Sequence, residues 1–145
     1  MHKVVLDSSI LVSAFLSQKG VNSLVVQKGK DEYHLYLSKD ILDETSDVLL
    51  IYERIRRKYH YTDNEVKEYL KSLRAVAKKF IKKTPKIKPV IKEDPKDDFI
   101  IACALKTKAD YIVSKDDHLK DLKEYRGIKI VSTQEFLDIL KQKPE

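Results

Sequence analysis

Lys3-Val4-Val5-Leu6-Asp7-Ser8-Ser9-Ile10-Leu11-Val12 is the stretch on which the fold turns. Lys3 to Leu6 reads as a short buried strand, and the apolar-periodic segment that starts near Ser9 reads as a helix, with a further helical segment near Val21 to Val26. Outward from this strand-then-helix unit the same alternation repeats. His34 to Leu37 predicts a second strand, after which Ser38 or Asp40 caps a helix expected to run to about Arg57. Thr62 and Glu65 form a Thr-x-x-Glu capping box, and Val66, Tyr69, Leu70, Leu73, Val76, Ala77 and Phe80 keep helical spacing after it. An amphipathic helix from Thr62 to Lys82 is therefore expected. Pro85 and Pro89 predict an irregular connection from Lys82 to Lys92, and Asp94-Pro95 a cap and first-turn proline for a helix through Leu105. Tyr111 to Val113 and Lys129 to Val131 predict further strands, with a helix from about Asp117 between them and a last one after Thr133. With no hairpin-type turn between strands, the pattern predicts a mostly parallel sheet covered on both faces, a three-layer α/β/α sandwich.

A chain of 145 residues suits a single domain spanning 1–145 with one core. The longest uninterrupted apolar run, Phe99 to Leu105, falls far short of the roughly 20 residues of a membrane span. Asp7 interrupts what would otherwise resemble a signal core, so export is not expected. The lone Cys103 lies in that apolar run and predicts a buried thiol in a reducing compartment, hence a cytoplasmic location. The formal charge of +6 is compatible with a polyanionic partner. Its distribution is more informative: Arg54, Arg56, Arg57 and Lys58 form one basic block, and lysines from Lys78 to Lys92 form another.

In open α/β sheets, ligands bind beyond the carboxyl ends of the strands, where the strand order reverses. Asp7 directly follows the first strand, and Asp116 lies just beyond the Tyr111 to Val113 strand. Glu44 lies about one turn into the helix after the second strand, and Asp97 and Asp98 lie in the first turn of the helix leading to Tyr111. Helical phase separates the acids near Glu44. At about 100° per residue, Ile41, Thr45, Val48, Leu49 and Tyr52 define the inward face, Glu44 falls at its edge, and Asp43 points nearly opposite. An acid at that edge needs a partner or a metal. Asp7, between two apolar segments, makes the same demand, whereas capping alone accounts for Asp94 and competes with function at Asp116.

These segments resemble the PIN domain, a nuclease family, and within it the toxin components of toxin–antitoxin pairs. Val4 to Val12 resembles the family's opening strand and first acid, and Leu37-Ser38 through Ile41-Leu42-Asp43-Glu44 the segment with the second. Asp97 to Ala104 resembles the third motif, and Ala109 to Asp116, a strand leading to a hydroxyl residue, one variable position and an acid, the fourth. The resemblance implies metal-binding acids at Asp7, Glu44, Asp98 and Asp116, with Asp97 as a further candidate and Ser9 and Ser114 as hydroxyl helpers. Ser9 stands where Asn is common, and Ser114 replaces the more usual Thr.

Oxygen-only ligands suit Mg²⁺ or Mn²⁺. A metal there would relieve the repulsion among clustered carboxylates, which otherwise raises their pKa values. The expected activity is hydrolysis of RNA phosphodiester bonds, leaving 5'-phosphate and 3'-hydroxyl ends as the resemblance implies. It also implies a small antitoxin protein and a homodimer as partners. The alternatives are an RNA-processing nuclease outside any toxin–antitoxin pair and a catalytically silent RNA-binding domain. A Gly-rich phosphate loop is absent, and Asp7-Ser8-Ser9 lacks the second acid of an Asp-x-Asp phosphatase motif.

Overall fold

The computed structural model describes residues 1–87 and 98–142. The opening reading holds: β1 is Lys3–Leu6 and α1 is Ser8–Leu16. The chain continues through α2 (Val21–Lys28), β2 (His34–Ser38), α3 (Lys39–Ile51), α4 (Glu53–Tyr59), α5 (Asp63–Val76) and β3 (Lys79–Ile81). It then forms α6 (Asp98–Thr107), β4 (Tyr111–Val113), α7 (Asp117–Leu122), β5 (Glu124–Tyr125), β6 (Ile128–Val131) and α8 (Thr133–Lys141). Asp94, Pro95 and Asp97 lie outside the described residues.

These strands make one six-stranded sheet in the order β3-β2-β1-β4-β6-β5, parallel except for β5. From β1 the chain steps outward to β2 and β3, then crosses back to β4 on the other side of β1. Because crossovers between parallel strands are right-handed, this reversal puts the two sets of helices on opposite faces. Helix α1 packs with α2 and α3, α3 with α5, and α2 with α8, whereas α6 lies across β2, β1 and β4. The result is a three-layer α/β/α sandwich. Its inner strands are apolar on both faces, as a covered parallel sheet requires: Val4, Val5, Leu6, Ile112 and Val113 are fully buried.

Three local expectations are corrected. The Thr62 capping box forms as expected, but α5 stops at Val76, and Lys79–Ile81 is a strand. Over so few residues helical and strand periods coincide, and the free edge of β2 decides between them: Lys78 N–H donates to Leu35 O at 2.8 Å, and Tyr36, Leu37 and Ser38 pair with Lys79, Phe80 and Ile81. The helix expected to reach Arg57 breaks at Tyr52, whose backbone is extended. Side chains from downstream satisfy the carbonyls freed there: Tyr61 Oη donates to Leu49 O at 2.5 Å and Arg56 Nη1 to Leu50 O at 3.2 Å. Finally, β5 and β6 do form a hairpin. Its turn residues, Arg126 and Gly127, have φ of 49° and 84°, the positive values a two-residue turn of the I′ kind demands, with glycine at the second position.

Candidate active site

Strand order reverses at β1, between β2 and β4, and the carboxyl ends of β1 and β4 are where Asp7 and Ser114 emerge. Backbone hydrogen bonds hold both: Asp7 N–H donates to Val113 O at 3.0 Å, and Ser114 N–H to Val131 O at 3.1 Å. Asp7 occupies the N-cap position of α1, yet its side chain makes no capping hydrogen bond. Its carboxylate, only 3% exposed, receives hydroxyls instead. Oδ2 accepts from Ser114 Oγ at 2.6 Å and from Ser9 Oγ at 3.0 Å, and Oδ1 accepts from Ser8 Oγ at 3.2 Å.

The same hydroxyls tie in the neighbouring segments. Ser8 Oγ also lies 2.8 Å from Glu44 Oε2, which brings α3 to the site. Ser114 Oγ accepts the backbone N–H of Asp116 at 2.9 Å, and Ser9 Oγ accepts that of Lys115 at 3.3 Å. Lys115 Nζ reaches across to Ser13 Oγ on α1 at 2.8 Å. Asp116 caps α7, its Oδ1 accepting from His118 N–H at 2.8 Å, so capping and a place beside Asp7 coexist in one residue. Glu44 is half-buried while Asp43 is exposed, as the helical phase requires. Asp98 opens α6 and lines a cavity of about 370 Å³ shared with Asp40, Thr84 and Phe99.

Burial raises the Asp7 pKa above its ordinary value of 3.8, against the downward pull of the Ser114, Ser9 and Ser8 hydroxyls, and the charge of Asp116 adds to the rise. Hydroxyl protons are also short. Ser8 has a single proton for two carboxylate oxygens, one on Asp7 and one on Glu44, so one contact is left without a donor unless an acid is protonated or a cation intervenes. Such an arrangement of hard oxygen donors with excess negative charge suits a divalent cation in its chemistry. Among the described residues, however, no three carboxylates, imidazoles or thiols are grouped so that they could hold a metal ion. The reason is visible in the bonding: Ser8 stands between the carboxylates of Asp7 and Glu44, and Ser114, which donates to Asp7 Oδ2, accepts the backbone N–H of Asp116, whose own carboxylate caps α7.

Ser8 and Lys115 were not singled out from sequence. Ser8 is buried at the first position of α1 beside an acid that ends a strand, a placement that signals a polar network once the strand and helix are assigned. Arg56, from the first basic block, has a structural role: it forms an ion pair with Asp63, lies 5.7 Å from the Tyr61 ring centroid and caps α3. Tyr69 is core, its hydroxyl donating to Leu11 O at 2.7 Å. Cys103 is a buried thiol whose pKa is pushed up to about 12 by burial despite a hydrogen bond with Ser38, which leaves it inert. No single helix among the described residues is long and apolar enough to cross a membrane.

No curated protein matches the chain. Among solved structures, the crystal structure of PAE2754 from Pyrobaculum aerophilum superposes with a TM-score of 0.57 at 14% sequence identity, covering 96% of this chain and 89% of that one. That likeness establishes the fold. A family model described as PIN domain matches residues 3–118 of the 145, a span that runs from β1 to the first turn of α7 and contains Asp7, Glu44, Asp98 and Asp116. The buried acid at the switch point and the match over most of its length together place this chain in the PIN domain family, whose members are generally nucleases.

Proposed function

We propose that the chain is an endoribonuclease that hydrolyses RNA phosphodiester bonds with a divalent cation, Mg²⁺ or Mn²⁺. The observation that supports this reading best is Asp7: a buried acid, raised in pKa, joined through the Ser8 hydroxyl to the Glu44 carboxylate and through the Ser114 hydroxyl to the backbone N–H of Asp116, whose charge it senses. Asp7, Glu44 and Asp116 would hold the cation, with Asp98 and Asp97 added by their motif position. When bound, such a cation supplies charge neutralisation at the scissile phosphate and a water of lowered pKa.

The protein's own residues set the stage for that chemistry. Ser9 and Ser114 fix the Asp7 carboxylate, both donating to Oδ2, and leave Oδ1 to Ser8, which also reaches Glu44. Lys115, anchored on Ser13 beside this network, brings a cation that forms no ion pair with another described residue to the edge where a phosphate would lie. Lys115→Ala is expected to raise KM for RNA about 5-fold with little change in kcat, the ~1 kcal/mol of a screened charge contact. A fall in kcat alone would remove Lys115 from substrate binding.

The test of the activity is cleavage of mixed RNA with Mg²⁺ or Mn²⁺, with and without EDTA. Cleavage that stops with EDTA and returns with excess Mn²⁺ is the expected result; cleavage indifferent to EDTA overturns the metal assignment. The further proposal that this nuclease is the toxin of a toxin–antitoxin pair rests on the motif resemblance. Induced expression should then arrest growth, Asp7→Asn should relieve the arrest, and a small protein should co-purify with the chain. A homodimer belongs to the same proposal, and exposed Ile51 and Tyr52 at the α3–α4 break offer apolar surface for it. Growth unaffected by active enzyme would point to RNA processing outside such a pair.

A further inference from the structure

A groove between α3, α5 and β3, about 620 Å³ in volume, carries Lys39, Lys71, Arg74 and Lys82 over an apolar floor that includes Leu70 and Phe80. Its acid, Asp43, is ion-paired with Lys39 at 2.6 Å. Lys71, Arg74 and Lys82 form no ion pair among the described residues, so the groove has excess positive charge. The Arg74 guanidinium lies 4.4 Å from the centroid of the Phe80 ring. A flat cation held on an aromatic ring presents N–H donors for phosphate and planar surface for a base.

The groove also lies at the right edge of the sheet. Ser38 pairs with Ile81, so Lys39 and Lys82 both begin just past the carboxyl ends of their strands, the edge from which Asp7 emerges. Strand β3 is two places from β1 in the sheet, on the order of 10 Å away at the usual strand spacing. Helix α3 is the shared wall: Glu44 faces Ser8 and the acid network, while the adjacent Asp43 faces the groove.

We propose that this groove binds the single-stranded RNA flanking the scissile phosphodiester, with a base stacked at Arg74 and Phe80 and backbone phosphates on Lys39, Lys71 and Lys82. The position of the cut relative to the groove rests on the ribonuclease reading; the binding itself is measured separately. An acidic peptide would satisfy the lysines but meets the Arg74–Phe80 surface only where an aromatic residue happens to fall, whereas every nucleotide pairs a phosphate with a planar base, which favours a nucleic acid strand.

The experiment is fluorescence anisotropy with a fluorescein-labelled RNA of about 12 nucleotides, in EDTA so that no metal-dependent cleavage occurs. Lys71→Gln/Arg74→Gln should weaken binding at least about tenfold and lower the log–log salt slope by about 0.7, as loss of one single-strand phosphate contact together with the stacking surface predicts. Lys71→Gln/Lys82→Gln, which leaves Arg74 and Phe80 in place, should weaken binding similarly. Arg74→Lys keeps the charge and should lose part of the affinity. Unchanged affinity in both double variants with native circular dichroism overturns the proposal, as does failure of the wild type to bind. A changed monomer–dimer distribution by light scattering in those variants would assign the groove to a second copy and overturn it equally. Cleavage that persists without groove-dependent binding sinks the groove alone. Groove-dependent binding without Mg²⁺- or Mn²⁺-dependent cleavage sinks the ribonuclease reading and leaves the groove standing.

Discussion

Asp7→Asn is expected to abolish the proposed metal-dependent RNA cleavage, by at least about 100-fold, while the metal-free variant is expected to melt at the same temperature as the wild type or higher. The activity loss follows from the proposed ligand role: even partners of metal ligands contribute 10- to 100-fold, and Asp7 is proposed as a ligand itself. The stability result follows from burial and hydrogen bonding. Asp7 is buried with its pKa raised chiefly by desolvation, so its ionised form opposes folding. An asparagine fits the same network: its carbonyl oxygen can accept from Ser9 and Ser114, and its amide can donate to Ser8 Oγ, freeing the Ser8 proton for Glu44. The linkage sign agrees. Because the folded pKa lies above the unfolded one, native Asp7 holds its proton over a window that opens near 3.8 and extends upward to its raised folded value. Its stabilisation is complete below that window and is lost as pH rises through the folded pKa, so metal-free wild type should lose stability on that climb and Asp7→Asn should not. Thermal melts in EDTA across pH, beside cleavage assays with Mn²⁺, check both halves. A variant that melts well below the wild type would mean that the serine network is a structural ion-and-hydroxyl cluster, and a fully active variant would remove Asp7 from catalysis.

Phe136→Ala is expected to destabilise the fold by about 3–5 kcal/mol, the cost of deleting a buried aromatic ring, and to lower Tm on the order of 10 °C for a chain of this size. Phe136 on α8 is fully buried, with its ring T-shaped to Tyr33 at 5.1 Å and tilted to Tyr111 at 6.1 Å. Tyr33 is in turn fixed by its hydroxyl, which donates to Val25 O at 2.7 Å. The PIN domain match ends at residue 118, yet β6 and α8 lie beyond it, and β6 pairs with β4, the strand that delivers Ser114 and Asp116. The C-terminal segment is therefore part of the core that holds the site. Denaturant unfolding should show the loss, and cleavage measured well below the transition should retain its kcat, because the hydroxyls bonded to Asp7 belong to Ser8, Ser9 and Ser114 and not to this ring cluster. A small stability change would mean that α8 is an appendage to the core.

Much of this molecule was readable from residue order. The apolar triplets of β1 and β4, the Thr62 capping box and the helix starts at Ser38 and Thr133 were legible because each depends on neighbours within a few positions. Glu44 was separable from Asp43 for the same reason: helical phase is a local property. Other features needed partners far along the chain. Phe80 has helical spacing from Val76 and Ala77 and becomes a strand residue because β2 presents an unpaired edge. The break at Tyr52 depends on Tyr61 and Arg56 folding back to donate to the carbonyls of Leu49 and Leu50.

For the site, residue order by itself determined which acids are candidates and that Asp7 ends a buried strand. Only the tertiary structure decided how they are joined. Ser8 bridging Asp7 to Glu44 spans 36 residues and Ser114 binding Asp7 spans 107, separations at which no sequence period carries information. It decided as well that Arg56 serves the fold while Arg74, on Phe80, faces an open basic groove. The physical reason is common to all of these. Propensity and periodicity act over one or two turns, whereas hydrogen bonds between hydroxyls and carboxylates form only once the parallel sheet has brought the ends of distant strands side by side.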